Sequence, residues 1–562
     1  MKLHSRHAPA LVLLLVAIAY LPALTAGFVW DDALLVVENQ LTGSLANLPA
    51  MFSTDLWATT PKVEAASSGY YRPLVLVDFA IDRAIFGLWA PGHHLHSLAW
   101  HLVCVGLVGL LSRQLGAGPI SSSAAMVVLG LHPAAVEAVA WISARNDLMA
   151  TAGVLGSLVL LMPYQPSRRR LVAASLVLLG AFLSKESALL APIAVVALRA
   201  ARYRQLRPLG PWVAVGAALA AYGVLRGVAG VGLPAGADLE RVSLRAVSAL
   251  AWWGRDLVTP FDLAPGRNLT WSTAAPFVLG LVGWGVVVLI VRPAGHHGRL
   301  GLLLMALGLA PSLAAVAHTG EVAARYLYLP LAGLGLATAG LVTRRIRRPR
   351  VGGGIVAALA VLFAMLTTLS LPSWCDDASL WSAAVDAHPS PYTWGGLAKT
   401  HEDAGRLDAA AHAYRQATAG PRPFPEACYN AASIHLKRGR PDAAAAAGRR
   451  ALVNGCPRSP ELLAPTAVGV AIGGGWDEAE GLAAEIHRDP TGMAILVRLA
   501  AAVRRGDLAP LDAAKASGAG DPALLQTQVA WLLEQAGEAE HAASLRAAPD
   551  PDAPAPEDPT GP

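Results

Sequence analysis

Two adjacent carboxylates, Asp31 and Asp32, stand where the first hydrophobic stretch of the chain runs out. Residues 8–26 are apolar over the length that crosses a bilayer, and Lys2 and Arg6 precede them. Positive residues stay on the cytoplasmic side, so Trp30-Asp31-Asp32 is predicted at headgroup level on the outer face. A charge at mid-membrane costs about 2.5–3.5 kcal/mol or more; one at the boundary is cheaper, yet a pair is unusual. A carboxylate at that depth can meet a lipid-linked molecule and take a proton from a hydroxyl.

Further ionisable residues gather at the outer ends of hydrophobic spans. His132-Pro133 leads into Glu137, Trp141 and Arg145, whose spacing of four predicts one helical face, with Asp147 on another. Ser184-Lys185-Glu186, Tyr70-Tyr71-Arg72-Pro73, and Glu321 with Arg325 and Tyr326 complete the set. All fall on the same predicted side, whereas the cytoplasmic loops are simply basic. This mixture suits group transfer from a lipid-anchored sugar phosphate. A carboxylate of Asp31, Asp32 or Glu137 supplies the base, and a guanidinium of Arg72, Arg145 or Arg325 meets the departing phosphate, with Lys185 as a point charge. Each group also has a plainer reading. The acidic pair can be a helix cap, Glu137–Arg145 and Lys185–Glu186 can be structural ion pairs, and Arg325 with its tyrosines can form an interface anchor. Their co-occurrence on one side favours chemistry. The carboxylates could hold a divalent metal ion or act directly. His93, His94, His96 and His101 are read as structural, because no carboxylate near them completes a metal site.

The elements that must position these residues are membrane helices. The 562 residues are 54% hydrophobic and 15% charged, too apolar for a soluble enzyme. The net charge of +5 comes from loop Lys and Arg, and no basic stripe with interleaved aromatics points to nucleic acid. Spans are predicted at about 8–26, 94–111, 121–131, 147–163, 171–184, 188–200, 211–228, 273–292, 300–317, 327–342 and 352–371. With these eleven, Arg113, Arg168–Arg170, Arg199–Arg207, Arg292, Arg299 and Arg344–Arg350 all fall inside the cell. Residues 244–260 carry Arg245, Arg255 and Asp256 and fit an interfacial or cavity-facing helix better than a span. In the first outer loop, Leu74–Phe86 is predicted to lie in the membrane plane with Asp78, Asp82 and Arg83 on its polar side.

Hydropathy divides the chain near Pro372 into a membrane domain (1–372), a helical domain (373–548) and a Pro/Asp-rich tail predicted to be disordered (549–562). Gly405-Arg406-Leu407-Asp408-Ala409-Ala410 recurs as Gly439-Arg440-Pro441-Asp442-Ala443-Ala444, a shift of about 34 residues and the tetratricopeptide period. Weaker copies centre on Gly474–Ala479 and Gly537–Ala542. The expected fold is therefore all-α: a polytopic membrane bundle followed by a tetratricopeptide-repeat solenoid, with a repeat surface suited to a peptide or protein. An exported repeat domain would let Cys428 pair with Cys456 and leave Cys375 odd.

Taken together, Trp30-Asp31-Asp32, Tyr71-Arg72-Pro73-Leu74, His132-Pro133 through Leu148, Ser184-Lys185-Glu186, Arg325 through Pro330 and the terminal repeats resemble one family. It is the transmembrane and tetratricopeptide-repeat protein O-mannosyltransferases, within the C-type glycosyltransferases that use polyprenyl-phosphate sugars. The resemblance implies that Asp31 and Asp32 form the acidic motif of the first outer loop, that Glu137 sits in a second one, and that a sugar such as mannose passes from a polyprenyl-phosphate donor to an extracytoplasmic acceptor, a protein Ser/Thr. Only two repeats are well formed, and His96-Ser97 stands where relatives often carry Asn. The Ala/Gly/Arg-rich composition and the short array suggest a bacterial inner-membrane protein, its N-terminus cytoplasmic and its donor lipid of the undecaprenyl type. Two rivals remain: an envelope glycan or lipid as acceptor, or a membrane-anchored repeat scaffold without catalysis.

Overall fold

A computed structural model describes residues 7–58, 69–203, 207–232, 239–261, 263, 265–267, 275–420, 423–489, 491–517 and 521–547. The tail 549–562 lies outside them. Two compact units divide the chain, Met1–His388 and Pro389–Pro562. Among the described residues the secondary structure is helical, without a strand.

In the first unit a helix occupies each of the eleven predicted spans. Seven of the described helices are long and apolar enough to cross a membrane, or eight if Pro119–Leu131 and Pro133–Ala140, bent by 53° at His132, count as one. Arg145–Leu161, Arg168–Phe182 and Ala191–Tyr203 are shorter, at 17, 15 and 13 residues. At 1.5 Å per residue such helices fall short of a ~30 Å hydrocarbon core, so eleven full crossings exceed what helix length alone supports. Leu239–Asp256 does not qualify as a span, in keeping with its polar residues. Close packing rests on small residues: a Cβ on Gly335 would meet the Ala125 carbonyl at 2.6 Å.

The described residues between the first two predicted spans fold onto the bundle. Leu35, Val36, Met51, Val75, Leu76 and Phe79 form a buried core with Ile142. Pro73–Phe86 is held inward by that core, so Asp78 and Asp82 face protein and not headgroups. Its polar side is thus the opposite of the one expected for a helix lying in the membrane plane. The buried partner that reverses it is Arg145, described below.

The second unit is a series of helix pairs. The pairs are Pro391–Asp403 with Leu407–Ala417, Pro425–Lys437 (interrupted near Ala431) with Pro441–Val453, Pro460–Ile472 with Trp476–Ala484, Met493–Arg504 with Ala509–Ala516, and Pro522–Gln535 with Ala539–Ala547. Each turn carries a left-handed glycine: Gly405, Gly439, Gly474, Gly506 and Gly537, with φ between 66° and 82°. An L side chain there costs about 1–2 kcal/mol, which is why glycine marks the period. Ala410, Ala444, Ala479 and Ala542 are buried where paired helices cross. The pair around Gly506 escaped the sequence reading because no buried alanine follows at the repeat position. Cys428 and Cys456 form a disulfide, and Cys104 and Cys375 are free.

Candidate active site

The acidic pair divides its labour. Asp32 is fully buried. One carboxylate oxygen accepts hydrogen bonds from the Ser143 backbone N–H at 2.7 Å and its hydroxyl at 2.5 Å. The other accepts from the Val29 N–H at 3.1 Å. Asp31 is only partly buried and makes no side-chain hydrogen bond among the described residues. Burial pushes both carboxyls up to about 7. For Asp31 the neighbouring Arg325 guanidinium opposes that rise, while Asp32 and Glu321 add to it.

Trp30 fixes the approach to the pair. It adopts φ 55°, rare for a bulky residue and a form of strain that clusters at functional sites. Its ring stacks on Trp141 at 4.5 Å and 9°, and meets the edge of Trp381 at 5.5 Å. Its backbone N–H donates to the Asp377 carboxylate at 2.7 Å. The helix after the last span, Asp377–Ala387, thus belongs to the framework of this site.

Arg325 is the central cation. It is ion-paired with Glu137 and lies 3.6 Å from Glu321. The second Glu137 oxygen accepts from the Ala324 and Arg325 backbone N–H groups at 2.8 and 3.2 Å. The guanidinium covers Trp141 at 4.9 Å and Tyr326 at 5.0 Å. Trp253 donates to the Ala323 carbonyl at 3.1 Å and the Val322 N–H to that of Arg267, whose side chain pairs with the buried Asp256 at 2.7 Å. Burial pushes the Glu321 carboxyl up, against the pull of Arg325.

Two more cations adjoin. Lys185 bonds Asp147 at 2.6 Å and sits 5.5 Å from the Tyr326 ring centre. Burial lowers its ammonium pKa, Asp147 raises it again, and Arg72 and Arg325 depress it further. Arg72 binds Glu186 at 2.8 Å, and the other Glu186 oxygen accepts from the Tyr71 N–H at 3.0 Å. Asp31, Asp32, Glu137, Arg325, Tyr326, Lys185, Arg72 and Glu186 are therefore gathered from five separate stretches of chain.

Arg145 is drawn elsewhere. The chain is extended at Trp141, so Glu137, Trp141 and Arg145 do not share a continuous helical face. Glu137 turns to Arg325. Arg145 is fully buried, binds Asp78 at 2.6 Å and Asp82 at 2.5 Å, and donates to Ser97 at 3.0 Å and the His93 carbonyl at 2.7 Å. Its donors are spent inside the protein, so it supports the loop and presents no fork to a phosphate. His96 joins the same carboxylates, 2.6 Å from Asp82. Asp78, Asp82 and His96 are close enough to share a metal ion, which corrects the reading that these histidines lack a nearby carboxylate. The positive charge between those carboxylates is already supplied by Arg145. His93, His94 and His101 bond the carbonyls of Gly87, Gly27 and Gly130 and serve the fold.

Sequence reasoning missed Ser143, Asp377, Trp381 and the Asp256–Arg267 pair. Asp376-Asp377 at the exit of the last span repeats the pattern of Asp31-Asp32 at the exit of the first and was a usable signal. Ser143 carried none.

The tetratricopeptide repeat family model matches residues 396–460. Protein O-mannosyl-transferase Tmtc1 of Drosophila melanogaster is 34% identical over 179 residues, 31% of this chain and 20% of the relative. Protein O-mannosyl-transferase Tmtc2 of the same organism is 36% identical over 134 residues, 24% of this chain and 14% of the relative. Over those stretches the chain is similar to the TMTC protein O-mannosyl-transferases. Protein O-mannosyl-transferase TMTC3 of Mus musculus is 29% identical over 147 residues, 26% of this chain and 16% of the relative. The chain thus matches a fifth or less of the length of these relatives. No solved structure matches it.

Proposed function

We propose that the chain is an integral-membrane glycosyltransferase that moves a sugar, mannose in the first instance, from a polyprenyl-phosphate donor to a hydroxyl of an extracytoplasmic protein acceptor. Asp31 is the base. The observation that carries this reading is the split within the acidic pair: Asp32 is saturated by Val29 and Ser143, while Asp31 keeps an unbonded carboxylate beside Arg325. Asp31 takes the proton of the acceptor hydroxyl as its oxygen attacks the anomeric carbon. The bond from that carbon to the lipid phosphate breaks, and its electron pair leaves with the phosphate. Arg325, Lys185 and Arg72 meet that charge, each already aimed by its own carboxylate, Glu137, Asp147 or Glu186. An apolar groove of about 430 Å³ between Leu239–Asp256 and Ala275–Val291 offers a dry wall for a polyprenyl chain. The Cys428–Cys456 disulfide supports an oxidising, extracytoplasmic location for the repeats, which with the basic loops favours a cytoplasmic N-terminus; the bacterial inner membrane is the setting that the composition favours.

The test is glycan profiling of exported proteins and envelope polymers from cells carrying wild type, Asp31→Asn, or a chain ending at His388. A protein-linked sugar that vanishes in both variants supports transfer guided by the repeats. An envelope glycan lost only with Asp31→Asn moves the acceptor to that glycan. No change with Asp31→Asn, at normal protein levels, removes the assignment.

A further inference from the structure

Charges on the repeat helices are mostly paired. Arg449 meets Glu478, Arg458 meets Glu485, Arg504 meets Glu538 and Arg505 meets Glu480. One groove breaks that pattern. It encloses about 300 Å³ between Leu407–Ala417, Ser433–Lys437 and Pro441–Val453, has a floor of alanine methyls, and is walled by Arg415, Arg440 and Arg450. None of these three arginines forms an ion pair among the described residues, and all three are exposed. Arg438 adds a fourth guanidinium, anchored on Asp408 and 3.1 Å from His435. Burial pushes the His435 imidazole pKa down, and the surrounding guanidiniums of Arg438, Arg415, Arg440 and Arg450 push it further.

Like charges around one groove repel, so the fold gains nothing from them without a counter-charge. Their spacing says what kind. Arg440 and Arg450 bracket one helix, ten residues and so ~15 Å apart along its axis. That backbone spacing, with Arg415 on a third element, suits an elongated ligand better than a single phosphate. An extended polypeptide covers that span with about four or five residues. The floor of alanine methyls accepts a main chain with small side chains.

We propose that this groove binds an extended acidic polypeptide segment, with carboxylates four or five residues apart on Arg440 and Arg450 and another on Arg415. As a surface for the acceptor it rests on the glycosyltransferase reading; as a binding site it does not. The test uses the full-length protein in lipid nanodiscs and a fluorescein-labelled Glu-Gly-Ser-Glu-Gly-Gly-Ser-Glu peptide, followed by anisotropy. Saturable binding is expected, weakened at least ~10-fold in Arg415→Gln/Arg440→Gln/Arg450→Gln and unchanged in Arg449→Gln/Arg458→Gln, whose arginines already have partners. Asp31→Asn should bind as wild type does, which separates a failed groove from a failed enzyme. Absence of wild-type binding, equal binding by the triple variant, or tighter binding of inorganic polyphosphate than of the peptide would overturn the proposal.

Discussion

Replacing the two aspartates one at a time should produce different defects. Asp31→Asn removes a carboxylate that makes no hydrogen bond, so the framework should survive. The loss is the base, worth about 10²- to 10⁴-fold in transfer rate, or about 2.7–5.4 kcal/mol in the barrier. Asp32→Asn instead damages the framework. Its amide oxygen can keep Ser143, but its NH2 then faces the Val29 N–H, donor against donor. Losing one charge-assisted bond and leaving a buried donor unmet costs about 2–4 kcal/mol of stability. Proton uptake adds a second signature. Both carboxyls sit near 7, raised from the ordinary aspartate range by burial. A base must be ionised, so transfer should fall about tenfold per unit as pH drops below 7 and level off above it. The stability sign runs the other way: a raised carboxyl contributes stability below its unfolded value near 4, and that contribution is lost as pH rises through 7. Asp31→Asn should therefore unfold at the same temperature as wild type or higher at pH 8, while Asp32→Asn, which sets the same relief against the lost Val29 bond, unfolds below Asp31→Asn. The assay is initial transfer rate from polyprenyl-phosphate mannose to an acceptor peptide in nanodiscs across pH, with thermal unfolding in parallel. An Asp31→Asn enzyme that keeps its rate and its pH inflection would refute the division of roles.

Other substitutions probe the supports. Arg145→Met leaves Asp78 and Asp82 buried without their cation and should cost about 3–5 kcal/mol, read as loss of folded protein in detergent. If Arg145→Met folds normally and only weakens donor binding, the supporting role assigned to it is wrong. Glu137→Gln frees Arg325 from its ion pair, so the expected outcome is a raised KM for donor with the fold retained. Opening the Cys428–Cys456 bridge releases a loop with a sequence separation of 28 and should lower the stability of the repeat unit by about 3–4 kcal/mol, seen as reductant-dependent unfolding. A Cβ on Gly448 would strike the Thr466 hydroxyl, so Gly448→Ala should destabilise the repeats by about 1–3 kcal/mol in thermal unfolding.

Much of the architecture is legible in the sequence because it depends on local pattern. Apolar length, loop arginines and the Gly-Arg-x-Asp-Ala-Ala repeat place helices at all eleven spans and find most turns of the solenoid. Failures begin where a residue's partner lies far along the chain. Asp78 and Asp82 sit four apart on a helix and look like a polar face turned to water. Only the buried guanidinium of Arg145, more than sixty positions away, turns that face inward. The spacing of Glu137, Trp141 and Arg145 likewise promised a shared face, and one extended residue at Trp141 sends the outer two in different directions. Eight of the nine residues singled out still converge, because each stood on the same predicted side of the membrane, at the end of a span or, for Arg72, in the loop after the first one. Which member of the acidic pair keeps a free carboxylate depends on Ser143, a residue with no signal of its own.

The buried network gives that loop its purpose. Arg145 is pinned by Asp78, Asp82, Ser97 and the His93 carbonyl. Just before it, Ser143 holds Asp32; just after it, Asp147 holds Lys185; four residues back, Trp141 underlies Arg325 and Trp30. One clamp therefore sets the position of an acid, a lysine and an aromatic platform at once. Such a clamp is costly, since a buried ion pair seldom outperforms apolar packing of the same volume. Its return is placement: a misplacement of about 1 Å can cost ~100-fold in a group transfer. In the proposed transfer Arg145 would act through Asp32, Lys185 and Trp141, with its own donors held by Asp78, Asp82, Ser97 and His93. Arg145→Lys, which keeps the charge but not the fork, should fold better than Arg145→Met and still lower kcat, with KM for donor little changed. A rise in KM alone would return Arg145 to the phosphate.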